Sequence, residues 1–372
     1  MDNQYDFISR LRRDLVESIE RRRGSWRAKL ADRIRSNQPS YRFLGIIVAS
    51  VLVVSGIVFP VLQLSGVMLS SAAAKSAPAQ PVPTASIQLP RGVTAIVTGY
   101  SGVWASTLGG SVVRIDPSTN QIAATIPVSG IGDFSRLAAA AGGIWVTHSG
   151  SVARIDPMTN SVTANIGVGG TLLGIAASEA AVWVTRQGTS GSELVTIDPT
   201  TNQVSGQPIS LPDSATDLAY LQGKLWVDIS NNGGSGVSVD PATGQVSNAP
   251  ESSIPEAAFD NSLWAPAWTG VDRIDPDTNA VVAEIPLARV VQTGAGLNGV
   301  WALTATGSTS PTLYEPDQSR PATLVLVDPS TNSVVGTPVS VGISPAYMAV
   351  GDGAVWVAQY DSGIVTRVDL AG

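Results

Sequence analysis

The sequence predicts an all-β fold, a seven-bladed β-propeller closed by an N-terminal strand and preceded by a single transmembrane helix. Three observations carry this. First, a tryptophan-centred phrase recurs at Trp104, Trp145, Trp183, Trp226, Trp264, Trp301 and Trp356, in steps of 41, 38, 43, 38, 37 and 55 residues by subtraction, the spacing of blade-sized units. Second, the last unit ends at Val368-Asp369-Leu370 with no room for a fourth strand. Ala85-Ser86-Ile87-Gln88-Leu89-Pro90 matches Ala124-Thr125-Ile126-Pro127 of the next unit and can supply the missing strand. Third, Phe43 to Leu64 is an uncharged run of 22 residues, long enough to cross the hydrocarbon layer at about 1.5 Å per residue.

Residues 1–42 read as a basic, polar helical segment. Phe7, Leu11, Leu15 and Ile19 fall at four-residue steps, with arginine runs at Arg12-Arg13 and Arg21-Arg22-Arg23. Eleven Lys/Arg against six Asp/Glu give this segment +5, and the remaining eleven against twenty-three give the rest −12. The arginines before the apolar run place the N-terminus in the cytoplasm and the repeats outside it. An amphipathic helix lying on anionic lipid is the other use of such a segment. Residues 43–65 are the expected span, with Pro60 near its outer end. A cleaved signal peptide is the competing reading, since Ala72-Ala73-Ala74 offers small residues after the apolar stretch. Residues 66–84, rich in Ala, Pro and Ser, are expected to be an extended linker because they offer little apolar surface to bury.

From residue 85 to 372 each unit contains four short alternating runs, such as Gly143 to Thr147, Val152 to Ile155 and Val162 to Ile166. Four antiparallel strands per unit make a propeller blade. Asp-Pro turns recur at Asp116, Asp156, Asp198, Asp240, Asp275 and Asp328, where Asp accepts backbone donors and Pro presets φ. The last turn position is Asn120, Asn160, Asn202, Asn279 and Asn332, but Gly244 in the fourth unit. Asn and Gly exchange where φ is positive. The tryptophans are expected to fill the wedges between sheets, and Arg114, Arg154, Arg273 and Arg367 to stack or pair locally.

The pattern Gly-Val/Ile-Trp-Val-Thr, then Arg-Ile-Asp-Pro-x-Thr-Asn, then Ala-x-Ile-Pro-Val over residues 85–369 resembles the YVTN-type propeller repeats of bacterial surface and periplasmic proteins. It also resembles the related repeats of streptogramin (virginiamycin B) lyases. The resemblance implies a propeller that serves either binding or catalysis. Lyases of that group use histidine and glutamate together near the central opening.

The absence of cysteine excludes disulfides, zinc-thiolate sites and thiol nucleophiles. A lone histidine, His148, excludes multi-histidine metal sites, so no metal and no cofactor are expected. An acidic repeat body argues against nucleic-acid binding. Residues that only hold the fold repeat, and the departures cluster on one rim, formed by the loops joining strands 2–3 and 4–1. They include His148, Arg186, Asp228, Trp268, Tyr360 and Asp361, with Tyr314 and Glu315 in an expanded loop from Ala305 to Pro321. Asp133, Phe134, Asp213, Glu251, Glu256 and Arg289 join them from the 4–1 connections. Aromatic anchors beside mixed charges are what a binding surface needs. The expected partner is a cell-envelope protein or a small molecule. Two alternatives are a lyase-like enzyme opening a cyclic peptide or lactone, with His148 and one of Glu251, Glu256 or Glu315 as acid or base, and a sensor passing ligand occupancy to the cytoplasmic tail.

Overall fold

The computed structural model describes residues 80–189, 191–212, 215–229, 236–249, 254–267, 269–305, 321–343 and 345–371. Within them, 28 strands form seven four-stranded antiparallel sheets. The seven blades span residues 93–127, 137–167, 171–210, 215–248, 257–286, 290–343 and 345–371, and the last is completed by Gln80–Gln88. In each blade we number strands 1 to 4 in sheet order from the axis outward.

The core is a set of seven wedges, one per seam, rather than a single mass. Trp104 of blade 1 packs with Ile144, Val146, Ala153 and Ile155 of blade 2. Trp145 packs with Ile175, Val182 and Val184 of blade 3. The pattern runs around the ring until Trp356 of blade 7 packs with Val93, Ile96 and Val103 of blade 1. Six of the seven tryptophans are fully buried and Trp183 nearly so. A buried indole N–H needs an acceptor. Trp104, Trp145, Trp264, Trp301 and Trp356 each donate to the carbonyl five residues upstream, at the turn between strands 1 and 2, over 3.0–3.3 Å.

Ring closure is as expected, with Ala85 opposite Arg367 and Gln88 opposite Ile364. The strand starts earlier than the linker boundary at 84 implied: it runs Gln80–Gln88, and Gln80 pairs with Ala371. Pro81 and Pro83 do not prevent this because the strand is the outer edge of its sheet, where a missing N–H can face solvent.

The Asp-Pro turns close as the sequence implied. Asn120, Asn160, Asn202, Asn279 and Asn332 have φ between 52° and 58°, and Gly244 has 74°. Each Asp carboxylate accepts from the backbone N–H two residues on, at 2.7–3.0 Å. Such bonds hold Asp116, Asp198, Asp240, Asp275 and Asp328 below the ordinary carboxyl range.

The arginines do more than pair locally. Arg114, Arg154, Arg273 and Arg367 lie over their own blade's tryptophan at 4.9–5.3 Å. Each then donates to the next blade's turn, at the Pro carbonyl and the Asn side chain. Arg154, for example, reaches Pro199 at 2.7 Å and Asn202 at 2.9 Å. Blade 3 carries Thr196 in this slot, and the turn it would reach ends in Gly244, which offers no side-chain acceptor. Blade 6 carries Leu326, and blade 7 has no Asp-Pro turn because its fourth strand comes from the N-terminal side of the chain. In blades 3 and 6 the latch is missing where its receiver is missing, whereas blade 4 carries Ser238 in the slot although blade 5 offers Asn279.

The expected span at 43–65, the basic segment before it, and the residues Trp268, Tyr314, Glu315, Asp213 and Glu251 lie outside the described residues. Among the described residues no helix is long and apolar enough to cross a membrane.

Candidate functional site on the irregular rim

The two sides of the ring differ chemically. One carries the Asp-Pro turns, whose carboxylates are satisfied within the turn. The other carries the irregular loops. There the connection between blades 1 and 2, residues 128–136, folds back toward blade 7, where Tyr360 Oη donates to Asp133 Oδ1 at 2.7 Å. Burial, and then the acceptor Asp133, push the Tyr360 phenol well above its usual range. The bond ties together residues 227 apart in sequence.

Beside this tie is a recess of about 250 Å³ lined by Asp133, Phe134, Ser135, Thr147, His148 and Ser149, with glycine backbone around it. Phe134 is 46% exposed. His148 Nε2 is 2.9 Å from Asn165 Oδ1 in the same blade. The structure therefore brings three rim residues, Asp133, Phe134 and His148, to one concavity. Arg186 is committed elsewhere. Its Nε and Nη2 lie 2.8 and 2.7 Å from Glu193 Oε2, and Nη1 donates to the Val168 carbonyl at 2.5 Å. Asp361 stands exposed next to Tyr360.

A second group lies at the axis. The residue opposite each core tryptophan on strand 1 is Val97, Ala138, Ala176, Ala219, Ala257, Gly294 or Ala349. Two positions earlier stand Ala95, Arg136, Gly174, Asp217, Pro255, Gln292 and Tyr347, one per blade at a common level toward the rim. Four of the seven are polar or aromatic. The Arg136 guanidinium of blade 2 lies 5.3 Å from the Tyr347 ring centroid of blade 7. Its Nε is 3.7 Å from Asp217 Oδ2 of blade 4. A side chain that meets blades 4 and 7 from blade 2 must lie close to the axis. Register shifts interrupt strand 1 between Ala215 and Leu218 and between Pro345 and Tyr347, and such bulges re-aim side chains. Gln292 is used structurally: its amide accepts from Met348 N–H at 2.5 Å and donates to Met348 O at 3.2 Å, satisfying the inner edge of blade 7.

Two further carboxyl groups stand near Asp217. Asp228 accepts from Thr216 Oγ1 at 3.0 Å, and burial, with repulsion from Asp217, raises it above the usual range. Glu256 accepts from Thr293 N–H of blade 6 at 2.7 Å, and burial, with repulsion from Asp217 and Asp228, raises it to about 8. Among the described residues no group of acids and histidine is arranged to hold a metal ion.

The rim residues were legible as departures from the repeat in its loops. Arg136, Asp217 and Tyr347 were not, because Asp217 and Tyr347 stand inside strands and Arg136 immediately before one. Aligning the units on the small residue opposite each tryptophan exposes them as the one strand column that varies from Ala to Arg to Asp to Tyr.

No family model matches the chain, and no curated protein matches it. Among solved structures, that of the computationally designed Ika8 protein is similar, with a TM-score of 0.55 at 13% identity. The match covers 76% of this chain and 98% of that one. The likeness is one of fold.

Proposed function

We propose that this chain is a membrane-anchored, extracytoplasmic binding propeller that engages a cell-envelope ligand through its irregular rim. The observation carrying the reading is the convergence of Arg136, Asp217 and Tyr347 from blades 2, 4 and 7 on one axis. Arg136 and Asp217 take no part in the arginine latches that recur between the described blades. The recess bounded by Asp133, Phe134 and His148 adds an aromatic and polar surface on the same rim. Anchoring rests on the apolar run 43–64 and the arginines before it. The closing strand begins at Gln80 beside Ala371, on the Asp-Pro side.

The enzymatic alternative has less support. His148 is bonded to Asn165 within blade 2, and Glu256 is bonded to Thr293 of blade 6, so the two are committed to separate neighbours three blades apart.

A photo-crosslinking side chain placed at Asp361 on the rim, or at Met158 in a turn on the opposite side, tests the reading in the full chain in its native envelope. Crosslinks to an envelope component from position 361, competed by solubilised envelope material, are expected. Crosslinks from position 158 alone overturn the site. Release of the protein from membranes by alkaline carbonate would remove the anchor.

A further inference from the structure

We propose that the recess beside the Tyr360–Asp133 tie is a subsite for one neutral pyranose ring, a sugar met either free or at the end of an envelope glycan. The inference rests on the binding reading of the rim and gives that ligand a chemical class.

The floor of the recess carries hydrogen-bonding groups that the fold leaves unused. Ser135 and Thr147 line it and are 5% and 1% exposed. Ser135 Oγ accepts from Gly132 N–H at 3.0 Å, and Thr147 Oγ1 accepts from Arg136 N–H at 2.8 Å. Among the described residues neither hydroxyl hydrogen has an acceptor. His148 Nε2 is held by Asn165, while Nδ1 is buried without a partner. In the neutral ring the Nε2 hydrogen goes to the Asn165 oxygen, which leaves Nδ1 as an acceptor. Buried polar groups normally find partners. Two donors and one acceptor around a single recess therefore call for a ligand that both accepts and donates, and a sugar hydroxyl does both.

The walls are largely backbone. A side chain at Gly130 would put its Cβ 2.3 Å from Ser149 Oγ and 3.6 Å from His148 Nδ1, and one at Gly170 would meet the Gln187 carbonyl at 2.6 Å. Glycine at both positions keeps the space open. Leu172 and the exposed ring of Phe134 complete the lining. An apolar wall with a few placed polar groups is the usual make-up of a small-molecule site. It also matches a pyranose, whose C–H faces are apolar and whose edges carry hydroxyls. About 250 Å³ falls below the roughly 300 Å³ at which pockets for drug-sized ligands begin, which suits a single ring.

The charge of the lining selects a neutral ligand. Asp133 brings the carboxylate of the described lining, and neither lysine nor arginine stands among those residues. Its Oδ1 accepts from Tyr360, and Oδ2 has no partner among the described residues. That oxygen suits a hydroxyl hydrogen and repels a carboxylate or phosphate. An ammonium has only hydrogens to offer, so it would leave the Ser135 and Thr147 hydroxyl hydrogens without acceptors.

His148 is the single histidine of the chain, so an isotopic label on histidine gives one ring signal at the recess. The test follows that signal by NMR in the full chain, held in a detergent without sugar groups, during titration with the methyl glycosides of glucose, galactose and mannose. A saturable shift with at least one of them is expected. Methyl glucuronide, which adds a carboxylate, should bind at least about tenfold more weakly than the best neutral glycoside. Phe134→Ala, at an exposed position, should weaken binding about tenfold and leave the unfolding midpoint in place. Absence of a shift with all three glycosides overturns the proposal, and that arm needs no variant to fold. Glucuronide binding as tight as the neutral sugar, or undiminished binding by Phe134→Ala, overturns it too. A trisaccharide of the best sugar separates the sources, and either result upholds the site: tighter binding than the monosaccharide assigns it to a chain end, equal binding to a free sugar. If no glycoside moves the signal while rim crosslinking from position 361 persists, the rim reading stands without this ligand class.

Discussion

Arg367 donates from Nη1 to Asn120 Oδ1 at 3.0 Å, joining positions 247 residues apart, and the same nitrogen reaches the Pro117 carbonyl. This is the interblade latch that Arg114 and Arg154 make to blades 2 and 3, used here between the last blade and the first. Closure of the ring thus rests on two independent devices, the Gln80–Gln88 strand inside blade 7 and a guanidinium between blades 7 and 1.

Arg367→Ala is expected to destabilise the propeller by about 2 kcal/mol, since it removes charge-assisted bonds from a largely buried side chain. Asn120→Gly removes the acceptor while tolerating the positive φ. A double-mutant cycle on the two, read by urea unfolding, should give a coupling of about 1 kcal/mol or more. Simple additivity would mean that the latch is not a pairwise contact.

The seam between blades 4 and 5 offers the reverse experiment. Ser238 stands opposite Trp226, in the slot that holds arginine in blades 1, 2, 5 and 7. Lys224 takes the Pro276 carbonyl at 3.2 Å, and Asn279 Oδ1 is buried without a partner. Replacing Lys224 by Ala together with Ser238→Arg should install the missing latch and raise stability by about 1 kcal/mol. An unfolding midpoint lower than that of the parent would show the slot to be closed.

Glu256 governs a pH dependence whose sign follows from its raised proton affinity. Its folded value, about 8, lies above the ordinary 4.5, so between these limits the folded state holds a proton that the unfolded state has lost. Its contribution to stability is therefore fully present below about pH 4.5 and is lost as pH rises through 8. Glu256→Gln should flatten this part of the stability profile in urea titrations from pH 5 to 9. An unchanged slope would place the titration elsewhere.

Tyr360→Phe severs the tie to Asp133. Amides of residues 130–136 should then exchange about fivefold faster, matching roughly 1 kcal/mol of lost restraint, with core strands unaffected. In the parent protein, ultraviolet titration should show one tyrosine that stays protonated beyond the ordinary phenol range, as burial and the neighbouring carboxylate require. A normal titration of every tyrosine would contradict the geometry.

The repeated features were legible because each recurs for a local reason. Asn120 and its equivalents announce a left-handed turn, and Trp104 and its equivalents a buried strand face. The partial last unit announces a strand borrowed from the chain's beginning. The start of that strand was misjudged, because Pro81 and Pro83 read as linker until the sheet showed them on an outer edge. The destination of the arginines was also hidden. Arg154 is written two residues before its own Asp, yet its acceptors are Pro199 and Asn202, and no local pattern marks a contact across a seam.

The sequence by itself determined the number of blades, the manner of closure and the side of the ring released from repetition, since each follows from spacing and from backbone rules acting within a few residues. Only the tertiary structure decided that Arg136, Asp217 and Tyr347 meet. Ring curvature brings strand positions from blades 2, 4 and 7 to one axis, and that proximity depends on closing the circle, a property no single repeat contains.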